Sequence, residues 1–265
     1  MSLVLLAALA ACNGSEQAPK ESALGPLTTK KNINVDNIDS VFATYLLYQY
    51  RLETEIPALI YFYRPELTES SMTTTSCPQQ GTVSTIRAGS RLDYSYNNCQ
   101  TGKGVVYSGE MQNSIALGPT LTSSTSFNNL NYQLIDDKDI IKLTGSVREK
   151  QSPFPRSPFF QLSYNNSTST FEYKADTTTA KTVDIKVTSI TGNQHFVLID
   201  MSDSYEPLTP LLSADDDSNV SIARNTDGSA MLTLRNTKDS KLFTTKNYSK
   251  SEIASLLQGA RRVKT

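Results

Sequence analysis

The sequence predicts a mainly β protein: an antiparallel meander forming a curved sheet, half-barrel or sandwich, with an N-terminal helix and a short C-terminal helix. Three observations predict it. From Cys77 onward apolar residues alternate with Ser, Thr and charged residues at period two, as half-buried strands require. Turn-forming clusters interrupt this pattern at intervals of about 8–12 residues with no long helical stretch between them, which argues against a parallel α/β sheet. Helical periodicity occurs only near the two ends of the chain.

The first helix is expected after an Asp N-cap in Val35-Asp36-Asn37-Ile38-Asp39. Ile38, Val41, Phe42, Tyr45, Leu46 and Gln49 then fall at i, i+3, i+4 spacing, and Leu52 and Ile56 extend it to Pro57, which should end or kink it. Ala58–Tyr63 is apolar and aromatic, and periodicity alone leaves it as helix or buried strand. Strands are expected at 82–87, 91–96, 105–111, 114–117, 126–135, 139–148, 159–164, 169–174, 182–189, 196–201, 219–224, 230–235 and 242–245. Asp136-Asp137-Lys138-Asp139, Gly192-Asn193 and Asn225-Thr226-Asp227-Gly228 read as hairpin turns. Pro153–Pro158 interrupts the meander, as an excursion from one continuous sheet. Ser249–Gln258 should close the chain as a helix stopped by Gly259.

Residues 1–11 are uncharged and almost wholly apolar, and the polarity changes abruptly at Asn13. The run is too short for a bilayer span, which takes about 20 residues, but has the length of a signal-peptide core ending in small residues. Met1–Leu3 carry no Lys or Arg, where such segments are ordinarily basic. Residues 12–34 lack apolar periodicity and read as a tether, and residues 35–265 as one β-rich domain. Leu9-Ala10-Ala11-Cys12 resembles the lipobox of bacterial lipoproteins. The resemblance implies cleavage before Cys12, a thioether to diacylglycerol on Cys12 and acylation of the new amine; two or more chains would anchor stably. Asn13, in place of the Asp that favours inner-membrane retention in that family, leans toward the outer membrane.

Cys77 and Cys99 flank two strand-like runs joined by a turn at Ala88-Gly89-Ser90, so one hairpin can bring them together. In the oxidising compartment that a signal peptide implies, a disulfide is expected. A catalytic thiol or a metal pair is the alternative; the spacing is not CxxC and the single His offers little to activate a thiolate. Cys77-Pro78-Gln79-Gln80-Gly81-Thr82-Val83, Tyr96-Asn97-Asn98-Cys99 and Gly104-Val105-Val106-Tyr107-Ser108-Gly109 resemble a pattern in uncharacterised β-rich Gram-negative envelope lipoproteins. That resemblance implies a β-rich periplasmic-facing lipoprotein and no particular activity.

Charge and composition narrow the chemistry. With 25 Lys+Arg against 26 Asp+Glu and no basic tract, nothing holds a nucleic-acid backbone. One His and three Cys do not furnish an ordinary zinc site, and no cofactor motif occurs. His195 is the only candidate for a hydrolase base, and no Gly-x-Ser-x-Gly elbow accompanies it. Asp215, Asp216 and Asp217 open like a calcium loop, but Val220 and Thr226 stand where an EF-hand needs Gly and Glu, leaving a weak calcium candidate. Arg261-Arg262-Val263-Lys264 reads as a frayed tail.

The expectation is therefore an outer-membrane-anchored lipoprotein, periplasmic or surface-facing, that is not an enzyme. It would act as a scaffold, assembly or interaction protein with an envelope protein as partner. A half-barrel binding lipid or another apolar ligand is the second expectation. A carboxylate-based glycan hydrolase is the third.

Overall fold

The computed structural model describes residues 33–60, 72–101, 105–116, 122–134, 140–150, 158–176, 182–189, 192–199, 210–214, 217–236, 238 and 241–261. Cys12, the signal segment, the turn at 136–139 and the excursion at 153–157 lie outside the described residues.

The chain opens with helix α1, Ile38–Tyr50, followed by a π-helical turn, Arg51–Glu55, and a short helix α2, Ile56–Ile60. Its cap differs from the expectation. Asn37, not Asp36, is the N-cap residue, and its side chain makes no capping hydrogen bond within the helix. Instead the Asn34 carboxamide oxygen accepts the N–H groups of Asp36 and Asn37, while Asn34 N–H donates to Asn37 Oδ1 at 2.8 Å. Two short polar side chains thus close the entry turn reciprocally. Pro57 explains the π turn. Its ring would meet the Glu53 carbonyl in a regular α-helix, and it has no N–H to donate. One residue earlier, Ile56 N–H reaches back five residues to the Arg51 carbonyl, which widens the helix at that point. Of the ambiguous stretch Ala58–Tyr63, residues up to Ile60 are helical and the rest lie outside the described residues.

Fourteen strands follow among the described residues: β1 Thr73–Ser76, β2 Gln80–Ala88, β3 Arg91–Thr101, β4 Val105–Ala116, β5 Thr122–Leu134, β6 Ile140–Lys150, β7 Pro158–Asn165, β8 Ser169–Asp176, β9 Thr182–Ser189, β10 Gly192–Ile199, β11 Leu211–Ser213, β12 Ser218–Arg224, β13 Ala230–Asn236 and β14 Leu242–Tyr248. Each pairs with its sequence neighbour, so the strand order is β1 to β14 in one antiparallel sheet. The expected segments 105–111 and 114–117 are one strand, β4. The short strands β1 and β11 are additions that alternation did not reveal. The proline-rich excursion leaves the sheet continuous, since Glu149 faces Pro158 across β6 and β7. The Asn225–Gly228 turn has the expected geometry: Gly228, with φ of 87°, donates to the Asn225 carbonyl.

The sheet bends along a row of irregularities. Gly81 in β2, Asn98 in β3, Gly109 in β4 and Asn129 in β5 all have positive φ, and at each the strand register shifts. A β-bulge bends its strand and raises the local twist, so four in adjacent strands turn the sheet as a unit. Gly109 could not be another residue here: a Cβ would overlap the Asn129 carbonyl oxygen. Replacing Gly109 with Ala should therefore lower stability by about 1–3 kcal/mol, read from the urea midpoint. Gly89→Ala, where a Cβ meets nothing within 4 Å, should show only the smaller cost of its φ. Equal losses at the two sites would contradict the bulge-row account.

The resulting concave face wraps α1. Ten of its residues from Ile38 to Tyr48 are buried, on all sides of the helix rather than along one stripe. Phe42 packs on Tyr248 of β14 with ring centroids 4.9 Å apart, and Tyr48 packs on Tyr173 of β8 at 5.3 Å. Thr44 donates to the buried Gln194 of β10, whose amide donates in turn to Ser40 Oγ at 2.9 Å. At the start of α1, Asp39 accepts from Lys246 Nζ, at 2.6 Å to Oδ2, and from the Tyr248 hydroxyl. A carboxylate in the first helical turn also suits the helix dipole. The fold takes in more of the N-terminal segment than the tether reading allowed: Ile33 is buried and its N–H donates to Ser218 Oγ at 2.8 Å.

Helix α3, Lys250–Arg261, lies against α1. Ser249 and Glu252 form a reciprocal capping box at its start, with Ser249 N–H donating to Glu252 Oε2 at 2.7 Å and Glu252 N–H to Ser249 Oγ at 3.3 Å. Gly259 does not stop the helix, which runs on through buried Ala260 to Arg261. Docking on α1 overrides the modest cost of one Gly. Arg261 is likewise not a frayed residue; its guanidinium stands 4.3 Å above the Tyr50 ring. Residues 262–265 lie outside the described residues.

Cys77 precedes β2 and Cys99 lies in β3, at disulfide distance with Cα atoms 5.5 Å apart. Both are buried. Cys77 N–H donates to the Gly81 carbonyl, so the bridge sits on the first bulge of the bend. Replacing both cysteines by Ala should cost about 3 kcal/mol from the lost loop constraint. Thermal unfolding of the double variant against the oxidised protein measures it, and an unchanged Tm would contradict it.

Candidate functional site

The π turn carries two charged side chains into the apolar interior. Arg51 is 5% exposed, and its guanidinium lies 4.1 Å from the Tyr164 ring centroid and 4.5 Å from that of Phe171. Arg51 Nη1 donates to the Tyr173 hydroxyl at 2.9 Å, and Nε stands 3.7 Å from Glu55 Oε2. Glu55 Oε1 accepts from the Tyr132 hydroxyl at 2.6 Å. Strands β5, β7 and β8 thus supply a cage of aromatic rings around one ion pair. A planar guanidinium suits such a cage because it stacks on aromatic faces and donates in its own plane.

The cage sets the protonation states. Burial pushes the Glu55 carboxyl above the usual carboxylate range, while Arg51 and the Tyr132 hydroxyl pull it back. Burial, reinforced by Glu55, holds the Tyr132 and Tyr164 hydroxyls protonated well above the ordinary phenol range. The Tyr164 hydroxyl has no hydrogen-bond partner among the described residues. A line of rings continues from this cage through Tyr132, Tyr107 and Tyr96 to Tyr94, with successive centroids 6.2 to 6.3 Å apart. Chemically the cluster is a closed charge pair. Its position in the core and its packing against three strands make it a structural clamp.

The outer face of the sheet offers a second arrangement. An open groove of about 410 Å³ crosses β6 to β9. Its polar lining includes Gln161, Ser163, Glu172, Lys174, Asp184 and Lys186. These alternate along their strands with buried Leu162, Tyr173 and Ile185. Glu172 faces Lys186 and Lys174 faces Asp184 across β8 and β9, the opposite-charge arrangement that stabilises neighbouring strands.

The residues singled out from the sequence fall in different places. His195 lies on β10 with Nε2 3.6 Å from Asp184 Oδ1, at the margin of this groove and beyond hydrogen-bond length. Asp215 and Asp216 lie outside the described residues. The Asp217 carboxylate is engaged by Lys238 Nζ at 2.6 Å. Arg51, Glu55, Tyr132, Tyr164 and Tyr173 were not among the sequence candidates. The one available signal was an Arg and a Glu four apart just ahead of a proline, in a helical stretch that also carries Asp39 and Glu53. Comparison with known protein families finds no match for this chain, and comparison with curated proteins finds none either.

Proposed function

We propose that this chain is a bacterial lipoprotein, held at the outer membrane through acylated Cys12, that works as a non-catalytic scaffold, assembly or interaction protein of the envelope. The observation that supports this reading is the occupied concave face. A half-barrel that carries a lipid needs that face for its ligand, whereas here α1 stands on it, with Phe42 fully buried. Among the described residues, the outside of the sheet and its edges remain for contact. The glycan-hydrolase reading has Glu172 and Asp184 in one groove, but both stand in a polar, open setting. A general acid needs an apolar pocket to keep its proton at neutral pH.

The test is site-specific crosslinking in intact Gram-negative cells. A photoreactive residue at Gln161 or Lys174, in a chain that is acylated at Cys12, should give a discrete adduct with an envelope protein. The same residue in a Cys12→Ala chain should lose both the acyl label and the adduct. Absence of any adduct from either position, with the acylated chain present at normal level, would contradict the proposal.

A further inference from the structure

We infer that the end of the sheet where β14 begins is a lipid-docking surface, with Leu242 and Phe243 as the inserting side chains. The inference rests on the Cys12 anchor. Leu242 is 51% exposed and Phe243 47%, two large apolar residues side by side at the start of a strand that is paired on one side among the described residues. Val35, 57% exposed, belongs to the turn that leads into α1. Isolated exposed apolar residues mean little, but adjacent ones at one end mark a contact surface.

The place of this end is what identifies the occupant. Ile33, where the described chain enters the fold, donates to Ser218 of β12; Ser218 faces Asn236 of β13; Asn236 N–H donates to the Lys241 carbonyl; and Leu242 faces Arg235. The segment arriving from Cys12 therefore joins the body within two strands of Leu242 and Phe243. Cys12 is 21 positions ahead of Ile33. Acyl chains on Cys12 would tether the body to the bilayer through this end. Two cations adjoin the apolar pair. Exposed Arg235 and Lys241 flank the pair, with Lys241 Nζ 5.9 Å from the Phe243 ring centroid, and long cationic side chains reach headgroups while their stems stay in the apolar layer. Lys238 and Asp217 neutralise each other, and the connections from β11 to β12 and from β13 to β14 also carry Asp215, Asp216 and Asp239 in the sequence.

The chain contains no Trp, so Phe243→Trp installs a unique reporter. Ile86→Trp, on β2 at the other end of the strand order, is the control. Each acylated full-length variant is reconstituted on phosphatidylethanolamine–phosphatidylglycerol vesicles with or without brominated acyl chains. Bromine should quench the indole emission of the Phe243→Trp chain at least about twofold and leave that of the Ile86→Trp chain unchanged. Two results overturn the docking surface while the anchor stands: the acylated Phe243→Trp chain floats with the vesicles but stays unquenched, or both variants are quenched alike. Chain that does not float overturns the anchor and the docking surface together.

Discussion

Replacing Arg51 with Met should destabilise the protein by about 3–5 kcal/mol, the cost of leaving a buried carboxylate without its cation. The variant keeps the length and apolar stem of the side chain, so the loss reports charge rather than volume. It removes the ion pair to Glu55, the donor to Tyr173 and the stacking on Tyr164 and Phe171 together. The pH dependence follows from Glu55. Its folded-state pKa is already raised by burial, and loss of Arg51 removes the main opposing influence. A carboxyl whose pKa is raised on folding contributes stability below its unfolded pKa and loses it as pH rises through the folded value. The Arg51→Met defect should therefore be smallest in acid and grow toward neutral pH. Adding Glu55→Gln should recover most of the loss and flatten its pH dependence. Urea unfolding at several pH values measures both, and a defect independent of pH and of Glu55 would contradict the clamp.

Phe42→Ala should cost about 3–5 kcal/mol as well, by a different mechanism. Phe42 is fully buried and packs on Tyr45 and on Tyr248 of β14. Truncation leaves a cavity between the helix and a strand that is already held by the Asp39–Lys246–Tyr248 contacts, so the site cannot collapse freely. The loss should appear as a lower Tm with an apolar dye site gained inside the sheet. A change under about 1 kcal/mol would mean that α1 is not the core of the fold, given what such truncations cost.

The strands were legible because burial of one face imposes its own spelling. Val183, Ile185 and Val187 point inward between exposed or half-buried neighbours, and the period-two pattern follows directly. Strand β1 escaped the same reading because Thr-Thr-Thr-Ser buries no apolar face, and β11 because three residues cannot establish a period. The cysteine pair was legible for a geometric reason: a hairpin must bring its outer ends together. The residues of the Cys77–Gly109 pattern were visible as a motif, but their meaning required register. Only when β2 to β5 are aligned do Gly81, Asn98, Gly109 and Asn129 become one bend.

The burial of the charged cage was not legible. Arg51 and Glu55 four apart on a helix spell an ordinary solvated pair. They become buried because the sheet wraps around the helical segment, bringing Tyr132, Tyr164 and Tyr173 to them from far along the chain. The same wrapping also buries Ala43, Thr44 and Leu47, which lie off the i, i+3, i+4 positions from which α1 was read. Local periodicity carries no information about a sheet that covers a helix on more than one side.

The interior is filled by the protein's own helix, and under the proposed function lipid is attached only covalently, at Cys12. Native mass spectrometry of the full chain, released from the membranes of a Gram-negative host, tests it most directly. The expected mass is that of the polypeptide from Cys12 onward plus the covalent acyl groups on Cys12, with no further lipid bound. A stoichiometric non-covalent lipid retained in the folded chain would contradict it.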